Sequence, residues 1–139
     1  MIDRRVIEFI EEHHVMTVAA AYEDDLWCAN AFYAFFEKES SFIITSEKET
    51  RHALLFKKNS CVTGSIMLET EHVGLIRGLQ FRATVQECDN SFFDKYKLIY
   101  LKRFPYAILK GGEVWLLKLD EIKYTDNRLG FGKKILWKK

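Results

Sequence analysis

The sequence predicts a mainly β protein, an antiparallel barrel with helices at its periphery. Three observations carry that expectation. β-rich runs fill most of the chain, at 15–22, 26–36, 42–45, 61–68, 72–87 and from about 113 onward. Short polar turns separate several of them, as hairpins require. Helical periodicity is confined to three short segments, so the strand–helix alternation of a doubly wound sheet is missing.

The elements follow in order. Ile2, Val6, Phe9, Ile10 and His13 share one helical face, Asp3 stands as N-cap, and residues 1–14 predict a short amphipathic helix. Glu23-Asp24-Asp25 predicts the turn of a hairpin between 15–22 and 26–36. Ser46-Glu47-Lys48-Glu49 has the capping-box pattern, which predicts a helix from Ser46 through about Phe56. In 72–87, Leu79, Phe81, Ala83 and Val85 alternate with Gln80, Arg82, Thr84 and Gln86, the period of a half-buried strand. A third helix is expected over 89–103, closed by Pro105 and Gly111-Gly112. In the last long strand the apolar phase slips between Leu119 and Ile122, which predicts a β-bulge near Asp120-Glu121. Ile135–Trp137 ends the chain after a turn bracketed by Gly130 and Gly132. The sum is six or seven strands and three helices.

The 139 residues suffice for one domain over 1–139, with no linker or repeat to divide it. Twenty-one Lys and Arg against 20 Asp and Glu leave no basic surplus, which argues against a nucleic-acid partner. No run approaches the ~20 apolar residues that span a bilayer. Residues 1–14 alternate charge with apolar side chains, unlike a signal peptide, so no membrane partner and a cytoplasmic location are expected. Cys28, Cys61 and Cys88 share no metal spacing and read as small buried hydrophobes in a reducing compartment. His13, His14 and His72 likewise lack ligand spacing, so no metal site is expected. Eleven Phe, six Tyr and three Trp exceed what a small core requires, so some are expected to line a ligand or a partner chain. In Trp27, Phe32, Tyr33, Phe35 and Phe36 dimer core is favoured over a stacking platform.

Thr45, Ser46, Thr50, Arg51 and His52 bring hydroxyls, a guanidinium and the start of a helix to one corner. A phosphate would find donors there from several sides. The plainer reading is that Ser46 caps the helix and Arg51 pairs with a nearby acid. His52 is either a second phosphate donor or a surface histidine. Asn30, between Ala29 and Ala31, either lies where a flat ring could approach or faces outward on a hairpin. Gln80 either reaches a ligand ring or faces water. No Ser-His-Asp or Cys-His pattern and no carboxylate pair for acid–base work is recognisable.

Phe42-Ile43-Ile44-Thr45-Ser46-Glu47-Lys48-Glu49-Thr50-Arg51 resembles a strand–turn–helix segment of the pyridoxamine 5′-phosphate oxidase-like group, whose FMN-binding members fold as an antiparallel split β-barrel. In that group a basic residue six positions after the threonine grips the FMN phosphate, and Arg51 stands there in place of the usual lysine. Ile76-Arg77-Gly78-Leu79-Gln80-Phe81-Arg82-Ala83-Thr84-Val85 is similar to the group's long strand, whose polar side chains reach the flavin edge. Trp115 and Asn127-Arg128-Leu129 resemble its final tryptophan and Asn-Arg-Leu turn. Leu26-Trp27-Cys28-Ala29-Asn30-Ala31-Phe32-Tyr33, Lys48-Glu49-Thr50-Arg51-His52-Ala53 and Asp120 through Lys134 are more similar still to a small uncharacterised bacterial family within the group. The resemblance implies a homodimer with FMN at its interface, a small-molecule ligand, and cofactor-binding roles for Asn30, Thr45, Ser46, Thr50, Arg51, Gln80 and Trp115. It favours a flavin-dependent oxidoreductase over a non-enzymatic flavin or haem binding or storage protein. After Asn-Arg-Leu the oxidase has a histidine and a charged pair that hold its substrate, but here the chain reads Gly130-Phe131-Gly132. The vitamin B6 activity is therefore not carried over.

Overall fold

A computed structural model describes residues 1–88, 93–109 and 111–139. Helix α1 (Arg4–Glu12) starts as expected, with the Asp3 carboxylate accepting from Arg5 N at 2.9 Å. It buries Val6, Ile7, Phe9 and Ile10. Strands β1 (Val15–Tyr22) and β2 (Asp25–Phe32) form the expected hairpin around residues 23–24.

The 26–36 run is not one strand. It breaks at Tyr33, and β3 (Ala34–Phe36) pairs instead with β4 (Ser41–Ser46). Tyr33 is fully buried, its hydroxyl donates to Ile10 O at 2.6 Å, and its N–H donates to His14 O at 3.0 Å. Arg103 fastens the same crossing, donating to the carbonyls of Tyr33 (3.0 Å), Glu11 (3.0 Å) and His13.

Helix α2 spans Arg51–Lys58 and β5 spans Cys61–Met67. Strand β6 covers Arg77–Glu87. It begins later than the expected residue 72, because Val73–Leu75 turn as a 3₁₀ segment whose Val73 carbonyl accepts from Asn127 Nδ2 at 2.8 Å. Helix α3 is described over Phe93–Arg103, and the expected start at 89–92 lies outside the described residues. Strands β7 (Glu113–Asp126) and β8 (Lys134–Lys138) complete the set. Eight strands are therefore described where six or seven were expected. The β7 bulge lies where the apolar phase slips: Arg82 faces Glu121 and Ala83 faces Leu119, leaving Asp120 unopposed.

The sheet is antiparallel throughout in the order β2-β1-β5-β6-β7-β4-β3, with β8 paired to the second half of β7. Its two ends, β2 and β3, are neighbours in sequence, so the sheet curls into a half-barrel. Met16, Val18, Val62, Ile66, Leu79, Phe81, Leu117 and Ile122 fill the concave side, closed by Phe9 and Ile10 of α1 and by Leu55 and Phe56 of α2. Each such side chain contributes about 1.5–3 kcal/mol when fully buried. The reverse side of β4 and β7 packs Ile43, Val114 and Leu116 on Tyr96 and Tyr100 of α3. Glycine is required at position 64, where a Cβ would lie 2.3 Å from the Phe81 ring and 2.6 Å from Thr17 O.

The cysteines depart from expectation: Cys88 is buried, but Cys28 and Cys61 are exposed. Both fall on the convex side of their strands, which none of the described residues covers. No described helix is long and apolar enough to cross a membrane.

Candidate functional site

The end of β4, the start of β7 and the first turn of α2 meet at one corner. Ser46 is still a strand residue, opposite Glu113, so it does not cap α2. Thr50 is the cap: its Oγ1 accepts from Ala53 N at 3.3 Å and donates to Glu47 O at 2.9 Å. The capping-box expectation is corrected accordingly. A strand residue four positions before the cap cannot reach the first helical N–H groups, and the turn at 47–50 intervenes.

The Ser46 hydroxyl is used differently. It lies 2.6 Å from His52 Nε2 and 3.3 Å from Thr50 Oγ1, and His52 Nε2 is 3.3 Å from the same Thr50 oxygen. The imidazole packs edge-on against Phe56, and burial holds its pKa below the ordinary histidine value. The neutral ring keeps one nitrogen as an acceptor and one as a donor. Trp115 is buried behind the corner, its indole edge-on to Phe56 and its Nε1–H donating to Ser46 O at 3.1 Å. It braces the strand end from inside the barrel. Thr45, one residue earlier, lies on the opposite face with Tyr100 and Gly112.

Arg51, the first residue of α2, carries the positive charge of the corner. Its side chain is half exposed, with Nη2 2.7 Å from Asp25 Oδ1 and the guanidinium carbon 4.1 Å from the centre of the Trp27 ring. Asp25 and Trp27 are two apart on β2 and share a face. Lys48 and Glu113 add a looser pair at 3.9 Å.

Asn30 and Gln80 lie on the other, convex face. The register aligns Asn30, Thr17, Ser65, Gln80 and Lys123 in one row across β2, β1, β5, β6 and β7. Thr17 Oγ1 donates to Asn30 Oδ1 at 2.8 Å. A shallow groove of about 480 Å³ runs here, lined by Thr17, Gly64, Ser65, Gln80, Arg82 and Lys123 among others. It shares Ala19, Thr63 and Arg82 with a second groove of about 460 Å³ that reaches Leu26, Trp27 and Cys28. Small side chains at 19, 21 and 63 keep the floor low, which suits a planar ring.

Ser46, Thr50 and His52 therefore come together, while Arg51, next to Thr50 at the same helix start, turns its guanidinium to Asp25 and Trp27 of β2. Asn30 and Gln80 form a separate row, and Thr45 and Trp115 flank the corner without opening onto it. The plainer expectation that Arg51 pairs with a nearby acid holds, with Asp25 as the acid, but sequence reasoning identified neither Asp25 nor the stack on Trp27. The alternation in β2 puts Asp25 and Trp27 on one face, but only the packing of α2 brings a residue 26 positions away onto them. No group of three or more metal-ligating side chains is present among the described residues.

No family model matches the chain. The UPF0306 protein YhbP of Escherichia coli strain IAI39 is 40% identical over 132 residues, 95% of this chain and 90% of its own length. The Escherichia fergusonii protein of the same name is 39% identical over the same shares. Among solved structures, a haem-binding protein from Mycobacterium smegmatis superposes with a TM-score of 0.77 at 12% identity, covering 94% of this chain. The chain spans 55% of that protein. A nimc/nima family protein from Clostridium acetobutylicum gives 0.73 at 17% identity, over 98% of this chain and 91% of its own. A FAD-binding protein from Mesorhizobium loti gives 0.72 at 8% identity, over 88% and 92%. At these identities the likeness is one of fold, the split barrel.

Proposed function

The chain belongs to the UPF0306 family, and from that premise we propose that it binds FMN at a homodimer interface in the cytoplasm and acts as a flavin-dependent oxidoreductase. The corner carries the reading. Ser46, Thr50, His52 and Arg51 surround the N-terminal turn of α2, where free N–H groups and the helix dipole favour an anion. These donors fit a terminal phosphate. In this reading Arg51 grips it through charge, while the Ser46 hydroxyl and that of Thr50, exchanging its bond to Glu47 O for one to the phosphate, orient it. Asn30 and Gln80 hydrogen-bond the polar edge of the ring, over the flat floor of the convex groove. Thr45 and Trp115 act from behind, holding the strand end in place. Bound flavin supplies hydride or electron chemistry, and the chain contributes grip, orientation and exclusion of water.

The two-chain arrangement is supported by the convex face itself. Leu26 and Phe32 of β2 and Met67 of β5 are more than half exposed, an apolar border that a second copy would cover. Corner and polar row lie on opposite faces of one sheet, so a second chain is the means by which a single ligand meets both. The FAD-binding neighbour supports a flavin, and the haem-binding neighbour supports haem as the second reading. Pyridoxamine phosphate is not proposed as substrate. Arg128, the remaining cation of the Asn-Arg-Leu turn, is tied to Asp126 by bonds of 3.0 and 2.9 Å, and the Gly130-Phe131-Gly132 tip adds no charge.

Titration of the purified protein with FMN, riboflavin and hemin tests the reading. FMN is expected to bind with a perturbed flavin spectrum and riboflavin much more weakly, with steady NAD(P)H oxidation once FMN is loaded. Hemin binding without FMN binding would transfer the site to the second reading. FMN binding without turnover would leave a carrier.

A further inference from the structure

We infer that Asp25 is a built-in competitor for the ligand's phosphate, a carboxylate seated on Arg51 that an incoming phosphate must displace. The inference rests on the reading of Arg51 as the phosphate grip, and adds the residue that sets how selective the grip is. The Asp25–Arg51 distance of 2.7 Å lies at the short end of charge-assisted hydrogen bonds. Among the described residues Asp25 is the one carboxylate hydrogen-bonded to Arg51. Stacking on Trp27 covers a face of the guanidinium and leaves its in-plane N–H donors for oxygen acceptors. Carboxylate and phosphate present such acceptors in the same way. Asp25 is also fixed in place, because it faces Tyr22 in the first pair of the β1–β2 ladder.

Competition of this kind discriminates by charge. A phosphate near neutral pH carries more negative charge than one carboxylate and exchanges with it on a cation. A neutral ligand, or one with a single weak anion, gains little from the exchange. Asp25 thus keeps Arg51 closed to weakly charged ligands and open to phosphorylated ones. Both side chains are about half exposed, so the pair itself is a modest barrier.

The test compares FMN and riboflavin binding to wild type, Asp25→Asn, and two charge-matched controls in the same turn, Glu23→Gln and Asp24→Asn. At 0.15 M salt Asp25→Asn is expected to bind FMN about five- to tenfold more tightly, from relief of competition and of repulsion by the displaced carboxylate. Riboflavin binding and both controls are expected to stay within about twofold of wild type. Inorganic phosphate should compete with FMN with a correspondingly lower inhibition constant in Asp25→Asn than in wild type, and an unchanged inhibition constant overturns the inference. Asp25→Ser repeats the measurement should asparagine disturb the hairpin, and Asp25→Glu should behave as wild type. Unchanged FMN affinity in both neutral variants, an equal gain in Asp24→Asn, or an equal gain for riboflavin overturns the inference while leaving FMN binding intact. Failure of every protein to bind FMN overturns the functional reading, and this inference with it.

Discussion

Two side chains at the corner separate its charge from its hydrogen bonding. Arg51 supplies the full positive charge, and a charge-assisted bond of this type is worth about 1.5–3 kcal/mol. Arg51→Ala is therefore expected to weaken FMN binding at least tenfold while leaving riboflavin binding unchanged, as read by flavin fluorescence titration. His52 acts through protonation. Burial depresses its pKa in the fold, so the unfolded chain takes up a proton first as pH falls. Its contribution to stability is present above the ordinary histidine value of about 6.5 and is lost below it. Urea midpoints measured from pH 7.5 down to 5 should fall in wild type and fall less steeply in His52→Gln. The hydroxyls and Arg51 were legible from the sequence because they cluster within six residues of one strand–turn–helix segment. Their partners were not. Asp25, Trp27 and Trp115 reach the corner through packing between elements, which local spacing does not encode.

At the scale of elements, signals that depend on periodicity held, while those that depend on a single boundary residue divided: Asp3 caps α1 as expected, but the cap of α2 shifted. The alternation in β6 was read correctly because Leu79, Phe81, Ala83 and Val85 all face the core. The slip in β7 located its bulge for the same reason. The break at Tyr33 left no such mark, since no glycine or proline precedes it. A buried bond from Tyr33 to α1 and a half-buried one from Arg103 to Tyr33 divide that run. The start of α2 shifted from Ser46 to Thr50 because a strand pairing holds Ser46. Thr50→Ala should cost about 1 kcal/mol of stability, the usual value of an N-cap side chain. Ser46→Ala should cost less and act mainly on ligand affinity. Chemical denaturation of the two variants, with and without FMN, separates the roles.

For the whole molecule, the exposed convex face is the feature most in need of a partner. A homodimer is expected to sediment at twice the 16.4 kDa chain mass. Phe32→Glu, placing a charge at an exposed apolar position of β2, should shift that mass toward one chain and reduce FMN retention in parallel. A monodisperse monomer that keeps its flavin would show that the ligand site needs a single chain. The position of β7 has a consequence of another kind, for the order in which the protein can be made. β7 alone joins β6 on one side to β4 on the other, yet it comes almost last in the chain, at residues 113–126. While the chain is still leaving the ribosome, the segment before residue 113 can assemble only two separate sheets, each with a bare hydrogen-bonding edge. Bare edges of this sort template aggregation. The nascent chain is therefore a natural client for chaperones until its final fifth emerges, and a product truncated before Glu113 should be recovered in the insoluble fraction.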